Sequence, residues 1–238
     1  MTRTAALVLD RIPFGERDLV LTLLTRELGV VSVMARSARG ARRFGTALDL
    51  LVVSSVGIRV RQAGGLASLN CAEAMRPFPG LFDALGRLEA AQVALVTVRD
   101  LLRDAPSSPA AFDRVVETLS EIEVAPSGQE YGPVLRLLLF LLGDAGHAVD
   151  LDACPRCGSA FGDAVVLADG SLACRSCHPW SGGVIPEDLV AYCRGGVAVL
   201  GRDRVIETLA SVMSVVLGRA WTVADGGAQA LRQRERRA

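Results

Sequence analysis

Four cysteines in the second half of the chain are spaced like the ligands of a tetrahedral metal ion. Cys154 and Cys157 form one Cys-x2-Cys pair, and after sixteen intervening residues Cys174 and Cys177 form a second pair. Two such pairs are typical of zinc ribbons and treble clefs, in which two knuckles meet across a hairpin. Four thiolates satisfy the tetrahedral preference of Zn²⁺ and leave no open position for a substrate. The spacing therefore predicts one structural Zn²⁺ ion.

The residues between the two cysteine pairs fit a β-hairpin. Short apolar runs flank the dipeptide Asp169-Gly170. This dipeptide between apolar runs predicts a type I′ turn. Turn chemistry and cysteine spacing thus indicate one small folded unit, a zinc-binding insertion over residues 150–182.

Other interpretations of the cysteines have less support. A chance cluster of buried thiols rarely has this spacing. A disulfide pair needs an oxidising compartment, and the apolar run after Met1 is too short for a signal peptide. The segment Cys174-Arg-Ser-Cys177-His178 also matches a haem-attachment pattern, but the upstream pair already accounts for these thiols. Cys71 and Cys193 stand apart from the four and are expected to be buried apolar side chains.

A second group of residues that could do chemistry is an arginine cluster in the first third of the chain. Residues 1–78 contain eleven arginines and six acidic residues, whereas residues 79–238 contain fifteen and twenty. No acidic residue lies between Glu27 and Asp49. Arginine suits phosphate because its planar group donates two parallel hydrogen bonds. The charge split predicts that the N-terminal part meets a polyanion, although a solvated loop that is basic by chance is an alternative. The predicted contacts are Arg36, Arg39, Arg42, Arg43, Arg59 and Arg61.

The chain contains no lysine, and this absence excludes several enzyme classes. A phosphate-binding P-loop requires its lysine, a protein kinase requires a strand lysine, and Schiff-base chemistry requires an amine. Only His147 and His178 could supply an imidazole, and no Gly-x-Ser-x-Gly segment occurs. The sequence predicts a protein that is not an enzyme.

Aromatic residues are scarce beside these arginines. The N-terminal part has only Phe14, Phe44 and Phe78, with no Tyr or Trp. Proteins that hold the bases of a single strand use aromatic stacking platforms. The composition therefore predicts binding through the phosphate backbone, which is strongly salt-dependent and accepts both single and double strands.

The elements that position these residues follow from apolar periodicity. Five short strands over residues 5–74, with glycine at the corners, predict a small closed barrel of the OB type; an SH3-like barrel or a half-sandwich fits the same pattern. After residue 79 the periodicity becomes helical, over about 81–103, 107–123, 129–142, from 186 onward, and 202–219. The most apolar stretch, residues 134–142, is about half as long as a membrane-spanning helix. We therefore expect a cytosolic protein.

The predicted fold is α+β and multidomain. An N-terminal five-stranded OB-type β-barrel, residues 1–78, binds nucleic acid. An all-helical domain, residues 79–238, follows and carries the inserted four-cysteine zinc ribbon at 150–182.

Several segments, in this order and at this spacing, resemble the RecO family of bacterial DNA repair and recombination mediators. They are residues 18–29, the arginine loop that ends at Arg43-Phe44, residues 74–81, and residues 145–154 leading into the first cysteine pair. The resemblance extends over at least residues 5–180. Beyond the zinc unit, the chain matches the family only in being helical.

The resemblance implies an OB fold on a helical domain with a zinc unit. It implies binding of single- and double-stranded DNA, annealing of complementary strands, and partnership with RecR and single-strand binding protein. It implies that the protein and RecR together load RecA onto single strands coated by single-strand binding protein, and that the protein uses no nucleotide. It also implies a location in the bacterial cytoplasm, at the nucleoid. Family members place DNA-binding basic residues after the third strand, where Arg36, Arg39, Arg42 and Arg43 stand.

Two functions of other classes remain as alternatives. One is a zinc-ribbon adaptor of transcription or translation that contacts only protein. The other is a metal-dependent deaminase, which needs a His-x-Glu beside the cysteines; the sequence contains none.

Overall fold

The N-terminal strands form a closed barrel. The computed structural model describes residues 1–39, 43–60, 66–103, 105–146, 149–179, 182–196 and 201–222. In the barrel the strand order is β1-β2-β3-β5-β4, which confirms the predicted five-stranded barrel. The strands are β1 (Thr2–Phe14), β2 (Asp18–Thr25), β3 (Gly29–Ala35), β4 (Val52–Arg59) and β5 (Ala67–Pro77).

Barrel closure depends on one short parallel contact. All other neighbouring strands of the barrel pair antiparallel, but β3 pairs parallel with β5, within the described ranges through Val33–Ala67 and Met34–Ser68. Strand β1 pairs with β4 in its first half and with β2 in its second, with an irregularity of register between Val8 and Asp10. Such an irregularity bends a strand and increases its twist, which lets one strand serve two neighbours.

The barrel core follows the two-residue period of the strands. Most strands supply buried apolar residues two positions apart, and these face one interior because alternate side chains of a strand share a face. Phe44 and Leu48, outside the strands, are also buried in this core. The core residues of the strands are Ala6, Val8, Leu21, Leu23, Val33, Ala35, Val56, Ile58, Ala67 and Leu69.

In the described part of the chain, five α-helices follow the barrel, as predicted. They are α1 (Leu85–Leu102), α2 (Pro109–Val124), α3 (Gly132–Asp144), α4 (Glu187–Cys193) and α5 (Arg202–Leu217). Among the described helices, none has both the length and the apolar composition of a membrane span.

Contacts divide the chain into two compact units. The first comprises residues 1–83 and 98–123, and the second comprises residues 84–97 and 124–238. Helix α2 therefore belongs with the barrel by its contacts. The predicted domains, 1–78 and 79–238, follow the change of periodicity and stay a prediction.

Helix α2 is held against the β2–β3 turn by two kinds of contact. The Arg26 guanidinium donates two hydrogen bonds to Asp113, Nε to Oδ1 at 2.9 Å and Nη2 to Oδ2 at 2.7 Å. These bonds lower the pKa of the Asp113 carboxyl. Gly29 has a φ of +67°, and a Cβ there would lie 3.1 Å from the Ser107 Cα. Glycine thus permits both the left-handed turn and the close approach of two backbones.

The cysteine region contains a second sheet, of three short strands. They are β6 (Ala164–Val166), β7 (Leu172–Cys174) and β8 (Gly183–Ile185), in the order β7-β6-β8. The predicted hairpin is β6–β7. Strand β8 was not predicted and lies beyond the predicted limits 150–182. It has three residues, too few to show a periodic pattern, and its first residue is the glycine Gly183.

Helix α5 packs against this small sheet. The closest approach is at Gly183, where a Cβ would lie 2.5 Å from the Cα of Val212. Backbone therefore meets backbone at this point. The sheet of the cysteine region and the last described helix form one packed unit.

Gly183→Ala should destabilise the fold, because the added methyl group has no space between β8 and α5. We expect a loss of about 1–3 kcal/mol in the free energy of unfolding, measured by urea denaturation. Gly143→Ala is the matched control, since a Cβ there meets only the Val149 Cβ at 3.8 Å. That variant should be neutral or slightly stabilising. Equal stability of the two variants would contradict the close approach.

Candidate functional site

The four predicted metal ligands converge. The sulfur atoms of Cys154, Cys157, Cys174 and Cys177 all lie within 4.8 Å of one another. The Sγ atoms of Cys157 and Cys174 are 3.7 Å apart. Two sulfurs bound to one tetrahedral Zn²⁺ at about 2.3 Å would be about 3.8 Å apart. Donor set and spacing therefore fit a single four-coordinate metal ion.

Backbone hydrogen bonds shape each cysteine pair into a knuckle. The N–H of Gly158 donates to the Cys154 carbonyl at 2.8 Å, and Gly158 has a φ of +71°. The N–H groups of Cys177 and His178 donate to the Cys174 carbonyl at 3.1 and 3.0 Å. Both turns direct their two sulfurs to the same side, so the metal-binding geometry is built into the backbone.

The thiols are electrostatically prepared for a cation. Burial opposes ionisation of Cys154, but backbone N–H groups, including that of Cys174 at 3.3 Å from the sulfur, lower its pKa to about 6. The pKa of Cys177 rises to about 12, because its thiol is hydrogen-bonded to Cys174 and Cys157. Without a cation, the cluster therefore keeps a proton on Cys177. A bound divalent ion supplies the positive charge that lets all four sulfurs ionise.

The hairpin between the knuckles forms where it was predicted, but its turn type differs. The Leu167 carbonyl accepts from the Gly170 N–H at 2.9 Å, and Leu167 N–H donates to the Ser171 carbonyl at 2.9 Å. Of the three loop residues 168–170, only Gly170 has a positive φ, of 83°. A type I′ turn needs positive φ at two central residues. The prediction of type I′ is therefore wrong, and a three-residue loop with left-handed glycine replaces it.

The two remaining cysteines are less buried than predicted. Cys71 and Cys193 are both half-buried. Cys71 lies in β5 opposite Gly57, where a Cβ on the glycine would come within 2.6 Å of the Cys71 sulfur. The missing side chain of Gly57 therefore makes room for this thiol.

The arginine loop begins where β3 ends, and it is fastened to the β1–β2 hairpin. The Ser37 N–H donates to Asp18 Oδ1 at 2.8 Å. Arg39 donates twice, from its N–H to the Arg17 carbonyl at 3.0 Å and from Nη1 to the Gly15 carbonyl at 2.9 Å. The first part of the loop therefore has a defined position on the barrel.

Arg43 closes the described part of this loop. Its Nη1 donates to the Arg36 carbonyl at 2.8 Å, and its guanidinium lies 4.9 Å from the ring centroid of Phe44. Phe44 is buried in the barrel core. The loop is thus anchored at both ends, while Arg36, Arg39 and Arg43 stay exposed.

Arg59 is brought near this loop by the strand register. Ser68 of β5 pairs with both Arg59 of β4 and Met34 of β3. Since neighbouring strands lie about 4.8 Å apart, the Cα atoms of Arg59 and Met34 are about 10 Å apart. Arg42 and Arg61, also predicted as contacts, lie outside the described residues.

The predicted arginines carry uncompensated charge. Within the described ranges, no carboxylate lies within 4.0 Å of Arg36, Arg39, Arg43 or Arg59. Two arginines elsewhere on the barrel are paired, Arg11 with Asp49 at 3.0 Å and Arg26 with Asp113 at 2.7 Å. The described arginines of the loop have no such partner among the described residues.

Sequence reasoning missed two residues beside the loop. Arg17 is exposed in the turn that holds Arg39, and Phe14 precedes that turn at the end of β1. Their proximity depends on main-chain bonds between distant segments, for which the sequence carries no signal.

Two family models match the chain. The model described as "Recombination protein O N terminal" matches residues 1–78, and "Recombination protein O C terminal" matches residues 83–194. The chain belongs to the recombination protein O family. The resemblance inferred from the sequence segments is confirmed.

Curated members of this family have names that indicate DNA repair. The chain is 37% identical over 182 residues to the DNA repair protein RecO of Anaeromyxobacter dehalogenans strain 2CP-C, an alignment that covers 74% of this chain and 70% of the relative. It is 32% identical over 208 residues to the DNA repair protein RecO of Geobacter metallireducens, covering 84% and 79%. The recombination protein O family is thus a family of DNA repair proteins.

Cys154→Ser should abolish stable binding of one metal ion per chain, because it removes the most buried sulfur of the cluster. The free energy of unfolding should fall by on the order of 5 kcal/mol, since the binding energy of such an ion is also folding energy. Metal content by mass spectrometry of the purified chain, with thermal unfolding, measures both effects.

Cys71→Ser is the control for this variant. It removes a thiol that lies outside the cluster and should keep the metal at full stoichiometry. Full metal content in Cys154→Ser would show that the four sulfurs are not the ligand set.

Proposed function

We propose that this chain is a DNA-binding mediator of recombinational repair that acts without catalysis. It binds single- and double-stranded DNA through the phosphate backbone and anneals complementary strands. With RecR it helps to load RecA onto single strands coated by single-strand binding protein. The observation that carries the proposal is the exposed arginine loop, which is fixed to the barrel and whose arginines form no ion pair with a carboxylate among the described residues.

The arginines have two roles, since some hold the loop in place and others contact phosphate. Arg39 and Arg43 each donate to a backbone carbonyl, which leaves several of their five N–H donors available. Within the described part of the chain, the side chains of Arg36 and Arg59 have no hydrogen bond or ion pair. We assign the principal phosphate contacts to Arg36 and Arg59, supported by Arg39, Arg43, Arg42 and Arg61.

Annealing follows from charge neutralisation. Two complementary strands repel each other through their phosphates, and a surface that neutralises phosphates of both strands lowers that repulsion. Such contacts do not distinguish sequences. A protein of this kind needs no nucleotide, which agrees with the absence of lysine from the chain.

The metal is proposed to be Zn²⁺ with a structural role. Four thiolates complete its coordination and leave no position for a substrate. The ion would hold the two knuckles together and stabilise the sheet on which α5 packs. We propose that the protein works in the bacterial cytoplasm, because the DNA of the nucleoid lies there.

The proposed function is tested by annealing of complementary oligonucleotides in the absence of nucleotide. A fluorophore and a quencher on opposite strands report the rate. The protein should accelerate annealing, and the effect should disappear as salt rises, because backbone binding is salt-dependent. For four to six neutralised phosphates, the slope of log K against log salt should be about −3 to −4 on single strands. No binding to oligonucleotides of any length would favour a zinc-ribbon adaptor instead.

The double variant Arg36→Gln, Arg59→Gln should weaken DNA binding while the fold remains intact, because neither side chain makes an internal bond. On single strands, loss of two phosphate contacts should make the salt slope shallower by about 1.4. Fluorescence anisotropy with labelled oligonucleotides across a salt series measures this change.

The matched control removes two exposed charges from the cysteine knuckles, as Arg156→Gln, Arg175→Gln. The net charge of the two double variants is the same. A general charge effect would weaken DNA binding equally in both double variants. The proposed interface predicts that only the Arg36→Gln, Arg59→Gln variant loses affinity. A greater loss of DNA affinity in the Arg156→Gln, Arg175→Gln variant would indicate that DNA contacts the cysteine knuckles instead.

A further inference from the structure

Phe14 is placed unlike the other phenylalanines of the N-terminal part. Phe44 and Phe78 are buried, with exposed fractions of 7% and 0%, whereas Phe14 is 54% exposed at the end of β1. The low aromatic content of this region predicts binding without stacking. The exposed ring of Phe14 changes that expectation, because it lies on the hairpin that contacts the arginine loop.

The strand register turns Phe14 toward the arginine loop. Phe14 pairs with Asp18 across the β1–β2 hairpin. Directly opposite residues of an antiparallel pair project their side chains on the same face. The Asp18 carboxylate accepts the hydrogen bond from the Ser37 N–H at 2.8 Å. The Phe14 ring therefore lies on the hairpin face that carries the contact to the loop.

The residues next to Phe14 bind the same loop. The Gly15 carbonyl accepts from the Arg39 guanidinium at 2.9 Å, and the Arg17 carbonyl accepts from the Arg39 N–H at 3.0 Å. The exposed ring thus lies on the hairpin that carries Arg17 and binds Arg39, together with the acidic residues Glu16 and Asp18. Positive charge would hold a phosphate backbone here, and the Phe14 ring would contact a base attached to that backbone.

We propose that Phe14 is a stacking platform for an unpaired base of single-stranded DNA whose phosphates contact the loop arginines. The inference rests on the proposed function and adds selectivity to it. Every base has a π-face, so one aromatic contact strengthens binding without reading sequence. In a duplex the faces of the bases are stacked on each other and are not available to Phe14. The platform therefore favours single strands, while the arginines serve both forms.

The test compares Phe14→Ala with the unchanged protein on an oligothymidylate and on a blunt duplex of equal length. Binding to the single strand should weaken by about 5- to 150-fold, and binding to the duplex by less than about twofold. The salt slope on the single strand should not change, because no phosphate contact is lost. Phe82→Ala, which removes another exposed ring (64% exposed), should leave both affinities unchanged.

A second variant gives a direct readout. Phe14→Trp keeps a flat ring, so it should retain single-strand affinity. The emission of the added tryptophan, taken as the difference from the unchanged protein, should be quenched by the oligothymidylate and not by the duplex.

The outcomes separate this inference from the proposed function. Equal losses on single strand and duplex, or unchanged affinity in Phe14→Ala, would overturn the stacking role while DNA binding stands. Absence of quenching in Phe14→Trp at saturating oligothymidylate would also overturn it. Failure of the unchanged protein to bind either DNA would overturn both.

Discussion

The parallel contact between β3 and β5 is the constraint on which the N-terminal half of the molecule depends. Among the described residues, two pairs, Val33–Ala67 and Met34–Ser68, close the barrel at this seam. Both sides of the seam are anchored from within, because Val33 and Ala67 belong to the same apolar core. Burial of this core, at roughly 25 cal/mol per Å² of apolar surface, drives the strands together. Beyond the seam, β3 continues beside β2 as far as Ala35, where the arginine loop begins.

Fixing the loop matters for the energetics of binding. An ordered loop has already lost conformational freedom on folding, so less is lost when a ligand binds. Arg39 and Arg43 donate to main-chain carbonyls and not to carboxylates, and their positive charge is therefore not cancelled. The two arginines thus order the loop and still contribute to an electropositive surface. An ion pair in the same place would order the loop at the expense of that charge.

The features that the sequence predicted correctly are those encoded over short distances. The four-sulfur cluster followed from two local spacings, the barrel strands from short apolar runs with glycine at the corners, and the helices from apolar periodicity. Strand β8 was missed because three residues carry no period, and the hairpin turn was assigned the wrong type because the loop has three residues and not two. Phe14 and Arg17 were not placed beside the loop, because backbone bonds such as Arg39 to Arg17 have no residue preference.

The use of main-chain acceptors to hold the loop has an evolutionary consequence. Arg17 contributes only its carbonyl oxygen to the bond with Arg39, and any residue at that position supplies the same oxygen. The Arg36 carbonyl serves Arg43 in the same way. Side chains at these two positions can therefore change without displacing the loop. Selection can adjust the charge of this surface one residue at a time, while the shape that presents it is inherited unchanged.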